Sequence, residues 1–134
     1  KKQVNLLITI DGIAEITAWS ILAYLGDISL FMTSGQVTSF VGLNPCVETS
    51  GTSIDKTSLS KSGNKRLRKA LYMPAIVAKK HNPILAEFYE RLIKKGKPKK
   101  VALCAVMRKL LVLSFGVLKS GTAFDPNYRK EKAS

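Results

Sequence analysis

The chain has 134 residues, 46% of them hydrophobic and 23% charged, which is typical of one globular domain and excludes a disordered chain. Its 22 lysines and arginines against nine acids give a formal net charge of +13. Such an excess indicates a polyanionic partner, with nucleic acid favoured over an anionic membrane surface. Two cysteines and no signal-peptide pattern argue against a disulfide framework and predict a cytoplasmic protein.

The positive charge is unevenly distributed along the chain. Residues 1–55 contain two lysines and five acids, a balance of −3, so residues 56–134 carry +16. The basic character therefore belongs to one part of the molecule.

The first predicted elements are two helices joined by a glycine-containing turn within residues 3–25. Residues 3–10 have apolar side chains at helical spacing. After the turn at Gly12, an amphipathic helix is predicted from the spacing of Ile13, Ile16, Thr17, Ile21 and Tyr24. This arrangement looks like a helix-hairpin-helix, whose hairpin amides bind a DNA phosphate without reading bases, so Gly12 is a candidate phosphate contact. Asp11 and Glu15 would repel phosphate, and a plain helical hairpin is therefore the alternative.

A short helix is predicted from Ser34 to Gly42, after Gly26 ends the second helix in the left-handed manner. Trp19, the only tryptophan, and Phe40 lie at helical spacing among apolar residues. Aromatic side chains in this setting are usually core residues, so both are predicted to be buried.

A long loop rich in serine, threonine and glycine is predicted over residues 44–60, and loops of this length are often functional. Serine is a weak nucleophile until a base or nearby positive charge stabilises its alkoxide. Ser50 and Ser53 are candidate nucleophiles beside Gly51, which would let a phosphodiester approach closely, although most loops of this composition are only connections. The cations close enough in sequence to stabilise charge there are Lys56, Lys61, Lys65, Arg66 and Arg68.

A helix of roughly twenty residues follows, with Ser62 as its predicted N-cap. Its first two turns carry four cations, although the partial positive charge at a helix N-terminus disfavours them. A bound phosphate would remove this conflict, because backbone amides and basic side chains both favour an anion. A solvated basic face is the alternative. The candidate phosphate-binding residues are Asn64, Lys65, Arg66, Arg68 and Lys69.

Two further helices complete the predicted fold. Asn82 and Pro83 are typical of an N-cap followed by the first helical residue, and the helix that they begin ends at Gly96. The last helix runs from Pro98 to Ser120. A second basic cluster, also a candidate for phosphate binding, lies at its start: Lys97, Lys99 and Lys100.

The last helix contains an apolar run that Arg108 and Lys109 interrupt, so no membrane span is expected. Cys104 in the same run is predicted to be a small core residue. The fold class is mainly α: a compact helical domain over residues 1–126, with the helix-hairpin-helix-like motif at its start and one long Ser/Thr/Gly loop. A basic tail over residues 127–134 is expected to be disordered.

No metal site is predicted from the residues. The nine acids are too scattered to suggest a Mg²⁺ pair, and Cys46 and Cys104 lack the spacing of a zinc site. His81 is the only histidine and lies beside a predicted helix end. Hydroxyl chemistry in the 44–60 loop is the one catalytic possibility left.

A set of short segments resembles the C-terminal domain of the DEDD-type insertion-sequence transposases, the "one-ten" insertion-sequence family, to which the Piv DNA invertases also belong. The resemblance covers about residues 4–126 in order, and it is specific as a set although each segment is weak alone. The segments are Leu-Leu-Ile-Thr-Ile-Asp-Gly-Ile-Ala-Glu-Ile-Thr-Ala, Leu-Gly-Asp-Ile-Ser-Leu-Phe, Val-Gly-Leu-Asn-Pro, Thr-Ser-Gly, Leu-Ser-Lys-Ser-Gly-Asn-Lys-Arg-Leu-Arg-Lys-Ala-Leu, His-Asn-Pro and Gly-Lys-Pro-Lys-Lys-Val-Ala-Leu.

The resemblance implies a DNA recombinase of bacterial or archaeal mobile elements. In such a protein an N-terminal RuvC-like domain, absent here, carries the acids that bind Mg²⁺, and a serine of the C-terminal domain forms a covalent phosphoserine link with DNA. The resemblance also implies oligomers and, in some members, a structured guide RNA. It makes Ser50 the nucleophile with Ser53 as fallback. It assigns phosphate binding to Lys61, Asn64, Lys65, Arg66 and Arg68.

The sequence therefore supports three hypotheses. The leading one is the serine-bearing half of a transposase, which binds nucleic acid but cannot recombine it alone and holds no cofactor itself. The second is a non-catalytic module that positions DNA or guide RNA. The third is a helical assembly module whose charge serves solubility, for which affinity would change little with salt.

Overall fold

The computed structural model describes residues 2–42 and 62–125, with side chains from residue 65 in the second range. These residues form six α-helices and one 3₁₀ helix, with no β-strand among them, so the mainly α prediction is confirmed. The predicted 44–60 loop and 127–134 tail lie outside the described residues. The α-helices are α1 (Lys2–Leu7), α2 (Glu15–Leu25), α3 (Ser34–Val41), α4 (Ser62–His81), α5 (Pro83–Lys94) and α6 (Lys99–Ser120), and the 3₁₀ helix is Ile28–Leu30.

The last three helices form a three-helix bundle in which each contacts the other two. One residue separates α4 from α5 and four residues separate α5 from α6, so successive helices are antiparallel and α4 and α6 run in the same direction. The starts of α4 and α6 and the end of α5 therefore lie at the same end of the bundle. Among the first three helices, α2 packs on α4, α1 packs on α2 and α6, and α3 packs on α4 and α6.

The core is built around α6. Of the helices in the described ranges, α6 alone is long and apolar enough to cross a membrane by length and composition, and half of its most apolar window is buried inside the protein. Its contacts with α1, α3, α4 and α5 account for that composition, because a helix surrounded by others is apolar on most sides. Leu67 and Leu71 on α4 and Leu110 and Leu111 on α6 are among the fully buried side chains.

Local capping explains where the helices begin and end. The Asn82 side chain accepts hydrogen bonds from the backbone N–H groups of Ile84 and Leu85, at 3.1 and 3.3 Å, and Pro83 is the first residue of α5, as predicted. Gly42 ends α3 in the left-handed conformation at φ 82°. The start of α4 differs slightly from the prediction, because Ser62 is its first helical residue rather than its N-cap.

The turn between α1 and α2 is fixed against the end of α4. Gly12 has a φ of 110°, and a Cβ added there would lie 2.8 Å from the Ala78 Cβ and 3.1 Å from the Pro74 carbonyl oxygen. Only glycine permits both the backbone conformation and this close approach. Asn82 Nδ2 donates a hydrogen bond to the Asp11 carbonyl oxygen at 3.1 Å, so the turn also contacts the residue that caps α5.

Three predictions of burial were wrong. Trp19 is 49% exposed and Phe40 is 39% exposed, and Cys104 is also exposed. Trp19 lies on α2, which was predicted to be amphipathic with Ile16 on its apolar side, whereas Ile16 is 80% exposed. Because apolar side chains lie all around α2, periodicity could not decide which side packs on α4. Phe40 instead contacts Phe31 edge to face on the surface, with ring centroids 5.5 Å apart.

We expect Gly12→Ala to lower the free energy of unfolding by about 2 kcal/mol, because alanine is strained at this φ and its Cβ would overlap Ala78. Gly116→Ala is the matched control: Gly116 lies within α6 with no atom near its missing Cβ, so this change should stabilise the fold by about 0.5–1 kcal/mol. Urea unfolding followed by circular dichroism measures both. Equal midpoints for Gly12→Ala and wild type would mean that the turn does not pack so closely.

We expect Asn82→Ala to lower the free energy of unfolding by about 2–3 kcal/mol, because it removes a helix cap and leaves the Asp11 carbonyl without its donor. Thr33→Ala is the control, since Thr33 caps α3 by accepting from the Gln36 N–H at 3.2 Å and lies on the surface. The free energy of unfolding of Thr33→Ala should fall by only about 1 kcal/mol. Similar losses in the two variants would contradict the double role of Asn82.

Candidate nucleic-acid interface

The two basic clusters predicted from the sequence lie at the same end of the molecule. Arg68, in the second turn of α4, is close enough to Cys104, one turn after the start cluster of α6, for the two side chains to interact electrostatically. This proximity agrees with the parallel directions of α4 and α6. The cations on the first turns of both helices therefore face the same region of solvent.

The four described cations of the α4 cluster differ in exposure. Lys65, Arg66 and Lys69 are exposed, whereas Arg68 is half-buried. Burial lowers the pKa of the Arg68 guanidinium, and the neighbouring Cys104 raises it. A guanidinium stays charged in a protein, so Arg68 is a fixed cation held by packing while its three neighbours extend into solvent.

The end of α5 adds cations that the sequence reasoning missed. Arg91, Lys94 and Lys95 are exposed and lie where α5 reaches the start of α6. They were overlooked because basic residues in the last turn of a helix are ordinary, being favoured by the partial negative charge there. The sequence alone does not show that α5 runs antiparallel to α4 and α6. This packing brings the end of α5 beside the two basic helix starts.

We call this surface the basic end. No acid lies in the first turn of α4 or of α6. Two helix N-termini also lie at this end, so the partial positive charge of each adds to the positive potential. The basic end comprises ten described cations: Lys65, Arg66, Arg68, Lys69, Arg91, Lys94, Lys95, Lys97, Lys99 and Lys100.

Gly12 is the other candidate phosphate contact within the described residues, and it lies away from the basic end. It contacts Ala78, so it is about 20 Å from Lys65 at the usual helical rise. The Asp11 carbonyl beside it accepts a hydrogen bond from within the protein. The packing on α4 accounts for glycine at this position, while a DNA contact by the hairpin stays a prediction.

The other candidate site residues are Asn64 and five residues of the segment before α4. Asn64 lies in the first turn of α4, and nothing is described of its side chain. Ser50, Gly51, Ser53, Lys56 and Lys61 lie outside the described residues. Within the described residues, no group of three or more His, Cys, Asp or Glu side chains could hold a metal ion.

A helical domain with so many cations at one end is of the class that binds a polyanion. The particular family follows from comparison with known proteins. Residues 4–90 match the Transposase IS116/IS110/IS902 family, and the chain belongs to this family.

Individual relatives agree with that membership. The chain is 40% identical over 125 residues to the pilin gene-inverting proteins of Moraxella lacunata and Moraxella bovis, covering 92% of this chain and 39% of each relative. It is 29% identical over 119 residues to an uncharacterized 43.6 kDa protein of the insertion element IS110 of Streptomyces coelicolor, covering 89% of this chain and 29% of the relative. The chain thus spans about two fifths of the pilin gene-inverting proteins.

We expect Lys95→Gln to reduce the salt dependence of binding to a short DNA duplex. Each phosphate neutralised by the protein contributes about 0.9 to the slope of log K against log salt, so the slope should fall by about that amount. Fluorescence anisotropy over a range of salt concentrations measures it. Lys80→Gln is the control, because Lys80 is also exposed but lies near the end of α4, away from the basic end. The same loss in both variants would show that binding is not confined to the basic end.

Proposed function

We propose that this chain is the DNA-binding, serine-bearing part of an insertion-sequence recombinase of the DEDD type. The observation that carries the proposal is the convergence of three cationic helix ends on one surface, in a chain that belongs to a transposase family. A surface that contacts phosphates through lysine, arginine and helix amides positions a nucleic acid without reading its sequence. A recombinase must hold the DNA strands in position at the site where they are exchanged.

The names of the relatives support DNA rearrangement as the activity of the longer protein. The two Moraxella relatives are named for inverting a pilin gene, and inversion requires that DNA strands be cut and rejoined. Since this chain spans 39% of those proteins, the complete activity belongs to a longer polypeptide. Mg²⁺-binding acids in an N-terminal domain, a structured guide RNA and homo-oligomers are further parts of the proposal, taken from the resemblance.

In the proposed reaction, the Ser50 hydroxyl attacks a DNA phosphorus. The new serine–phosphorus bond replaces one phosphorus–oxygen bond of the DNA strand, the serine proton passes to a base, and the departing DNA oxygen takes up a proton. Attack by the hydroxyl of another strand then reverses these changes and releases the serine. Cations that bind neighbouring phosphates would hold the strand for both steps and stabilise the negative charge on pentacoordinate phosphorus.

The alternative is a non-catalytic module that positions DNA or a guide RNA. The basic end favours it as much as the recombinase, because the ten cations account for binding without any role for a serine. The two proposals differ only in whether a covalent protein–DNA bond forms. Binding measurements therefore cannot separate them.

We expect Ser50→Ala, made in the full-length protein, to abolish strand exchange while DNA affinity changes less than twofold, because the hydroxyl is the proposed nucleophile and contributes little to phosphate binding. Recombination of a plasmid substrate and anisotropy with labelled DNA measure the two properties. Ser53→Ala is the matched control and should retain exchange.

A denaturing gel shows whether a covalent protein–DNA bond forms and which serine forms it. A DNA adduct that survives denaturation should form with wild type and Ser53→Ala but not with Ser50→Ala. Loss of the adduct only in Ser53→Ala would move the nucleophile to Ser53. Strand exchange without any adduct on this chain would favour the non-catalytic module.

A further inference from the structure

The exposed side of α4 carries an aromatic ring directly after its basic cluster. Lys65 and Lys69 lie four residues apart and Tyr72 follows three residues later, so all three lie along one side of the helix. The rise from Lys69 to Tyr72 is about 4.5 Å at ordinary helical geometry. Both lysines are exposed, and Tyr72 is 49% exposed. A cation and a phenol ring are therefore neighbours on one surface.

Tyr72 has no partner for its ring or its hydroxyl within the described part of the chain. It forms no hydrogen bond, no contact with another ring and no contact with a cation there. Phe88 is the opposite case, because Arg91 and Lys109 lie over its ring at 5.8 and 5.3 Å from the centroid. The exposed face of Tyr72 can therefore accept a flat group that does not belong to this part of the chain.

Beyond Tyr72 the exposed side of α4 becomes apolar. Met73 is 62% exposed and Val77 is 43% exposed, and the twenty residues of α4 include no acid. A single exposed apolar side chain is ordinary on a protein surface. Here three of them follow a group of cations along one helix. This order matches a nucleotide, which joins a charged phosphate to a flat base with apolar faces.

We propose that Tyr72 is a stacking site for an unpaired base of a nucleic-acid strand whose phosphates lie on the basic end. The inference rests on the proposed nucleic-acid binding and adds which form of nucleic acid this surface favours. In a duplex each base is covered on both faces by its neighbours, whereas an unpaired base can lie flat on an aromatic ring. Strand exchange requires bases to leave one duplex before they pair in another, so such bases are present during the proposed reaction.

The two cations next to the ring have different roles in this site. Arg68 is half-buried and precedes Tyr72 by four residues, so it holds a phosphate at a fixed distance from the ring. Lys69 is exposed, and its flexible side chain follows a phosphate as the strand moves. Only two rotatable bonds position the ring of a tyrosine, so ordering it against a base costs little entropy. A base beside a bound phosphate therefore stacks at a small entropic cost.

The test compares a DNA single strand of about 12 nucleotides with a duplex of the same sequence, by fluorescence anisotropy with the 134-residue chain. Tyr72→Leu keeps an apolar side chain suited to a helix but removes the aromatic face. Its affinity for the single strand should fall about tenfold, which is within the range for the loss of one base–aromatic stack. Its affinity for the duplex should change by less than about twofold, because no base face is accessible there. Equal losses for strand and duplex, or no loss for the strand, would overturn the inference.

Two further variants separate stacking from other contacts. Tyr72→Phe keeps the ring without its hydroxyl and should bind the single strand within about twofold of wild type. A loss as large as that of Tyr72→Leu would assign the effect to the hydroxyl and overturn stacking. Trp19→Leu is the matched control, because Trp19 is also 49% exposed but lies on α2, which carries no cation. It should bind like wild type, and equal weakening by Trp19→Leu and Tyr72→Leu would contradict a site next to the α4 cations.

An abasic strand, which keeps every phosphate but has no bases, tests the same contact in the wild-type chain. Wild type should bind it about tenfold more weakly than the intact strand, and Tyr72→Leu should bind the two strands within about twofold of each other. Each comparison is made within one protein, so a change in stability on substitution does not affect it. Equal affinity of wild type for the two strands would overturn the inference.

An RNA strand of the same sequence shows which kind of strand the site takes. DNA and RNA share the base and the phosphate, so binding of both should depend on Tyr72 to the same degree, and the strand that wild type binds more tightly is the preferred ligand. A dependence on Tyr72 in only one of them would mean that the ring contacts the sugar, which would overturn stacking on the base.

Salt distinguishes this inference from the proposed function. Stacking releases no counterions, so Tyr72→Leu should lower the affinity for the single strand by the same factor at every salt concentration and leave the slope unchanged. Binding by wild type that does not depend on salt would contradict phosphate binding and, with it, the proposed function. A steep salt dependence without any effect of Tyr72→Leu would overturn the stacking site alone.

Discussion

One buried side chain, Asn82, fixes the geometry on which the rest of the structure depends. It is fully buried, caps α5 with its carbonyl oxygen and donates from its amide nitrogen to the Asp11 carbonyl. A buried side-chain amide with both ends satisfied strongly favours one arrangement of the chain. Here it sets the abrupt reversal between α4 and α5 and attaches the N-terminal turn at the same corner.

That reversal has an electrostatic consequence at the opposite end of the helices. Because α5 turns back along α4 and α6 then returns, two helix starts and one helix end that all carry cations meet at one surface. Repulsion among those cations opposes the fold, and a polyanion relieves it. The apolar core around α6 is what holds the cations together without a ligand. The surface suited to phosphate thus occupies one end of this small domain.

The elements and their limits could be read from the sequence because the interactions that set them are local. The Asn82 cap involves hydrogen bonds to residues two and three positions away, and Gly42 ends α3 within a similar range. The basic clusters at the starts of α4 and α6 were also visible, since cations at a helix N-terminus contradict local preference. The family resemblance rested on short ordered segments of the same kind, and the match over residues 4–90 agrees with it.

The sequence by itself thus determined the helices, most of their ends and the concentration of charge after residue 55. Only the tertiary structure decided which sides of those helices are covered. It exposed Trp19 and Cys104, which composition assigned to the core, and it brought Arg91 to the same end as the clusters on α4 and α6. The reason is that burial and the grouping of charges depend on neighbours far away in the chain, about which local periodicity carries no information.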